Sequence, residues 1–200
     1  MTPIVNGRLY QFAAYGLYDG LFLMGDHETI SYWNHITGEC LYGELKGAQL
    51  TTGMLHYLTA SQTVAAYPEA QIAISTTLKW WQRLFSHFQR WTTGRDQGFL
   101  PPGFSGTMGQ ADSRRSEMDM GLGVWSEQIH RYYPLNTIQK EADGLIDELN
   151  GRSIKISIDP ISNTPTAIYQ ETDAAKPNQL FTRWYGFAYT FPHCEIYEDA

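Results

Sequence analysis

The sequence predicts an α+β fold, mainly antiparallel and β-rich, in a single domain built from two related halves. Three observations carry this expectation. Asn6-Gly7 and Asn150-Gly151 favour the two-residue turn of a β-hairpin, where both positions need positive φ. Residues 153–159 alternate strictly, with Ile154, Ile156 and Ile158 on one face, the pattern of a half-buried antiparallel strand. Helical periodicity is confined to short segments, the clearest at 78–91.

Taken in order, residues 9–18 and 21–24 are short apolar runs separated by Gly16 and Gly20, and read as strands. Residues 31–36 alternate, which places Trp33 and His35 on one strand face. Thr37-Gly38 and Gly43 bound a short strand at 40–42. Residues 51–66 read as a helix that ends before Pro68, because the residue preceding proline avoids the α region, and 71–75 as a strand. In the helix at 78–91, Trp81, Leu84, Phe85, Phe88 and Trp91 form one stripe. Lys79, Arg83 and Arg90 lie largely opposite, and Trp80 faces away from the stripe. Residues 92–123 lose all periodicity and divide the 1–200 domain into halves at 1–91 and 124–200.

The second half opens on a strand at Val124 and a short helix at 135–142, entered after Pro134. The Asn150-Gly151 hairpin, the strand at 153–159, a turn at 162–165 and a strand at 166–169 follow. The closing segment reads as helix, Pro192, strand. The halves echo each other: VNGR at 5–8 matches LNGR at 149–152, and Tyr67-Pro68 then Ile72 matches Phe191-Pro192 then Ile196. A duplication is the expectation.

Several segments carry a family resemblance. GDHET at 25–29, followed by SYWNHITGE at 31–39, resembles the D-x-x-T-x-S-x-W-x-x-x-T-G-E core of the bacterial family called domain of unknown function 3179. GELKGAQL at 43–50, RYYPL at 131–135, the hairpin at Asn150-Gly151 and RWYGF at 183–187 are similar in the same order. The resemblance implies no assigned activity. It also implies that longer relatives carry an upstream strand-rich segment with two close cysteines, so the chain is expected to be a short variant or a fragment. Secretion signals or anchors among relatives imply an extracytoplasmic setting as the alternative to a cytoplasmic one.

Composition narrows the function classes. A net charge of −7 argues against a polyanionic partner such as nucleic acid, whose phosphates need a basic surface. At 42% hydrophobic the chain can bury a substantial core. Six Trp and thirteen Tyr suit aromatic cores and pockets for flat ligands. Cys40 and Cys194 form neither a disulfide framework nor a zinc motif, and are expected as free buried thiols. No apolar run approaches the roughly 20 residues of a membrane span, and the N-terminus lacks the pattern of a signal peptide. A soluble, cytoplasmic chain is the default expectation.

Two constellations carry chemistry. His35 with His193, Cys194 and Glu195 offers imidazole, thiolate and carboxylate to a divalent metal ion if the fold joins the segments. On a strand, His193 and Glu195 would share a face. Asp26, His35 and Glu39 offer groups for proton transfer, although no nucleophile elbow, P-loop or dinucleotide fingerprint is present. The expected function is a ligand- or metal-binding module whose pocket lies between the halves, lined by Trp33, His35, Trp184 and Tyr185 with Arg183 beside them. The alternatives are an enzyme using His35 and Glu39, and a membrane-surface or partner-docking protein acting through the helix at 78–91.

Overall fold

The computed structural model describes residues 1–53, 55, 57–71, 104–110, 112–171 and 176–198. The expected helix at 78–91 and most of the strand at 71–75 lie outside them. The described chain is strand-rich, with antiparallel sheets and a few short helices.

The N-terminal part begins with a hairpin of β1 (Ile4–Val5) and β2 (Arg8–Leu9), turned by Asn6 and Gly7 at φ 50° and 77°. A four-stranded meander follows, in the order β3 (Phe12–Tyr18), β4 (Leu21–Asp26), β5 (Tyr32–Asn34) and β6 (Cys40–Tyr42). β5 is shorter than the alternation at 31–36 predicts. Asn34 ends it by accepting the amide protons of Ile36 and Thr37 on its side-chain oxygen, a local turn that competes with the ladder. His35 therefore leaves the strand instead of sharing the Trp33 face. Trp33, Cys40, Leu50, Val5 and Tyr10 form the core of this part.

The expected helix at 51–66 is cut down to α1 (Ala60–Ala66). Thr51, Thr52 and Gly53 are poor helix formers, and the capping box of Thr59 and Gln62 fixes the start, satisfying free amide protons at both residues.

The second part begins earlier than Val124. β7 (Met120–Trp125) is one of the two inner strands of a sheet ordered β12 (Asn178–Arg183), β7, β8 (His130–Pro134), β13 (Glu195–Ile196). Strand alternation sends Leu122, Val124 and Tyr133 into one core with Ile138, Leu149, Ile154 and Ile156. Tyr132 enters the other, with Trp184, Phe187, Phe191 and Cys194. Gly121 and Gly123 stand where those rings come down: a Cβ on Gly123 would lie 2.2 Å from Phe187, and one on Gly121 2.5 Å from Tyr132. Full burial of Phe187 or Trp184 contributes about 2–3 kcal/mol each, and the glycines make that burial possible.

β8 passes at Pro134 into α2 (Leu135–Lys140). A third sheet, in the order β11 (Pro165–Tyr169), β10 (Arg152–Ile158), β9 (Leu145–Leu149), covers the first of these cores. Ile154 and Ile156 are fully buried. β12 leads into α3 (Trp184–Thr190), then Pro192 and the two-residue β13. Both α1 and α3 have seven residues and end on an aromatic cap before proline. Tyr67 sits at φ −136°, ψ 79° and Phe191 at φ −126°, ψ 79°.

A second correspondence joins the meander to the third sheet. β3 and β4 turn at Asp19-Gly20, with φ 48° and 69°, as β9 and β10 turn at Asn150-Gly151, with φ 51° and 75°. The next turn repeats too. Asp26 Oδ1 accepts from the Thr29 amide and hydroxyl, and Thr29 Oγ1 lies 2.7 Å from Ser31 Oγ. Asp159 Oδ1 accepts from the Ser162 amide and hydroxyl, and Ser162 Oγ lies 2.7 Å from Thr164 Oγ1. Ile30 and Asn163, at the same place in the two turns, have φ 54° and 56°.

Candidate functional site

The D-x-x-T-x-S-x-W stretch is built as a buried structural node. Asp26 and Ser31 are fully buried, as is Trp33. Trp33 Nε1 donates to Asp26 Oδ2 at 2.8 Å, the Thr29 amide and hydroxyl occupy Oδ1, and Ser31 Oγ accepts the Leu45 amide proton. Burial pushes the Asp26 carboxyl up, but the bonds from Trp33, Thr29 and the Ser31 region outweigh it and leave it below the ordinary value, since a carboxylate that accepts several bonds favours its charged form. Its oxygens are committed to the turn.

His35 is placed differently. It lies just past β5, half-buried, with Nδ1 2.8 Å from the Phe22 carbonyl oxygen and its ring edge-to-face with Phe22 at 6.1 Å. A carbonyl oxygen only accepts, so Nδ1 carries the proton and Nε2 of the neutral ring carries the lone pair. Burial lowers the His35 pKa and the bond to Phe22 offsets part of that, for a net decrease. Among the described residues no hydrogen bond joins His35, Asp26 and Glu39. Glu39 is exposed, and its backbone amide donates to Thr37.

His35 lines a cleft of about 710 Å³. On one wall stand Leu17, Leu21 and Phe22 of the β3–β4 hairpin, Ile36, and Thr52, Gly53, Leu55 and Tyr57. On the other stand β7, β12, the turn after β10, Phe104 and Tyr185. Three ring pairs border it at nearly right angles: Phe22 with His35, Tyr57 with Phe181 at 6.1 Å, and Phe104 with Tyr185 at 6.0 Å. The Gln179 amide nitrogen donates to Ala167 O, and its oxygen accepts from Ala167 N and Thr166, which fixes the wall between β11 and β12. Burial pushes the Tyr57 hydroxyl up.

Of the residues expected in the pocket, His35 and Tyr185 border the cleft, whereas Trp33 and Trp184 are fully buried within their own cores. Trp184 Nε1 donates to Asp112 O, and Arg114 sits over its ring at 5.3 Å. Arg183 points a guanidinium nitrogen at Met118 Sδ. Sequence reasoning missed Phe22, Tyr57, Phe104 and Phe181. Their only signal was aromaticity, spread over four distant segments.

The four residues nominated for a metal ion do not converge. His193 is not on a strand: it occupies an exposed turn at φ 66°, and β13 begins only at Glu195. The Glu195 carboxylate is held by Arg131 at 2.6 Å, and Arg131 also binds Asp147. Burial pushes the Cys194 thiol up to about 11. Among the described residues no group of three or more His, Cys, Asp or Glu is placed to hold a metal ion. No described helix is long and apolar enough to cross a membrane. The surface-docking helix at 78–91 lies outside the described residues.

The chain belongs to the family described as a protein of unknown function, DUF3179, whose model matches residues 2–189. Neither the curated proteins nor the solved structures yield a match.

Proposed function

We propose that this DUF3179 member is a binding module that takes a small molecule in the cleft between its N-terminal meander and its C-terminal sheets. The observation that carries the reading is the wall of that cleft: aromatic rings from four chain segments around a histidine whose Nε2 makes no hydrogen bond to a described residue. Ligand sites combine an apolar lining with a few polar groups that fix orientation, and this lining has both. Leu17, Phe22, Leu55 and Tyr57 are each exposed at the cleft, and apolar groups gathered at a concave surface mark an interaction site more often than a bare one.

A second reading, proton transfer by His35, rests on the same nitrogen. It lacks an assembled partner, because Asp26 is committed to Trp33 and Thr29 and Glu39 stands exposed without a bond to His35. Binding is therefore preferred. Amide shift mapping of the labelled protein against a library of flat fragments tests it. Shifts concentrated at Phe22, His35, Phe181 and Tyr185 support the proposal, whereas binding only elsewhere, or none at all, refutes it.

A further inference from the structure

We infer that the ligand of this cleft is a flat molecule bearing a hydroxyl or N–H donor, and that His35 Nε2 accepts its hydrogen bond. The inference rests on the reading of the cleft as a binding site and names what that site selects.

The donor requirement follows from the His35 tautomer. Nδ1 is spent on the Phe22 carbonyl, which fixes the proton there and leaves Nε2 as an acceptor. Desolvation keeps the ring neutral at pH 7. Among the described residues Nε2 has no hydrogen-bond partner, although the ring borders the cleft. An acceptor enclosed with a ligand is costly unless that ligand supplies a donor. The hydroxyls of Tyr57 and Tyr185, also at the cleft, likewise make no bond to a described residue, and can donate or accept.

Flatness follows from the walls. Three edge-to-face pairs with centroids about 6 Å apart present ring faces and edges, which favour offset or perpendicular contact with another ring.

The test is calorimetric titration of the full chain with 2-naphthol and naphthalene. 2-Naphthol is expected to bind about tenfold more tightly than naphthalene, the ratio that one good hydrogen bond of about 1.4 kcal/mol provides. His35→Phe is expected to bring 2-naphthol to the level of naphthalene measured in the same variant, and His35→Leu, which likewise has no acceptor, serves the same comparison if the phenylalanine variant does not fold. Equal binding of naphthol and naphthalene, or retention of the preference in both variants, overturns the inference but leaves the cleft as a site. Failure of every probe to bind overturns both.

Discussion

Trp33 donates its indole proton to the Asp26 carboxylate at 2.8 Å, and both side chains are fully sealed from solvent. This bond ties β5 to the end of β4 across the Thr29–Ser31 turn, and turns the most distinctive motif of the chain into a structural device. A buried carboxylate is tolerable only while its bonds are made.

Asp26→Ala and Trp33→Phe should therefore both destabilise the fold. Asp26→Ala strips three donors of their acceptor and is expected to cost about 3 kcal/mol; Trp33→Phe leaves one carboxylate oxygen unpaired and is expected to cost about 2 kcal/mol. Urea unfolding of both variants and of the double variant measures this. The double variant should cost less than the sum of the singles, because the two residues share one bond. Additive losses would contradict the pairing.

Stability should fall in two stages on acidification. His35 and His130 are both depressed by burial, His35 with partial compensation from Phe22. Their contribution is complete above the unfolded histidine value near 6.5 and is lost as pH drops through the lower folded values. Asp26 is depressed as well, so its contribution is complete above an unfolded value near 4 and is lost as pH drops through its folded value. Urea midpoints between pH 8 and 3 should decline first below about 6.5, and His35→Phe should shrink that stage to the share of His130. A midpoint that rises between pH 8 and 5 would show the opposite linkage.

The two Asp turns should behave as equivalents. Thr29→Ala and Ser162→Ala each remove a hydroxyl that bridges an aspartate oxygen and a second hydroxyl, and each should cost about 1–2 kcal/mol. Thr29→Ser and Ser162→Thr keep the hydroxyl and should cost less than about 0.5 kcal/mol. Thermal unfolding of the four variants decides it. A costly hydroxyl-keeping exchange at either site would break the equivalence.

Glycines that look alike in sequence should differ in kind. Gly123→Ala drives a methyl into the Phe187 ring and should cost about 3 kcal/mol. Gly151→Ala meets nothing within 4 Å and carries only the strain of φ 75°, about 1–2 kcal/mol. The order of the two unfolding free energies checks the packing of β7 against α3.

These glycines also show where local reading stops. Gly121 and Gly123 look like loop residues because glycine weakens a strand, yet they occupy an inner strand. The rings that need their space, Tyr132 and Phe187, come from β8 and α3. The hairpins at Asn6-Gly7 and Asn150-Gly151 and the alternation of β10 were legible because backbone φ and side-chain period are local properties. The echo between VNGR and LNGR was legible as two hairpin turns with the same backbone angles, whereas the shared bonding of the Asp26 and Asp159 turns was not, because it lies in side-chain hydroxyls that only the folded turns bring together. The cleft was partly legible. His35 and Tyr185 could be nominated, but Trp33 and Trp184, equally aromatic, are consumed by cores that only tertiary packing defines. Phe22, Tyr57, Phe104 and Phe181 meet at the cleft through the fold and share no sequence pattern.

The most direct measurement is the nitrogen spectrum of histidine-labelled protein at pH 7, recorded with and without 2-naphthol. In the free protein His35 should show a protonated Nδ1 and an unprotonated Nε2, and ligand should shift Nε2 toward a hydrogen-bonded value while Nδ1 stays in place. A proton on Nε2 in the free protein, or no movement of that nitrogen at saturating ligand, would contradict the account.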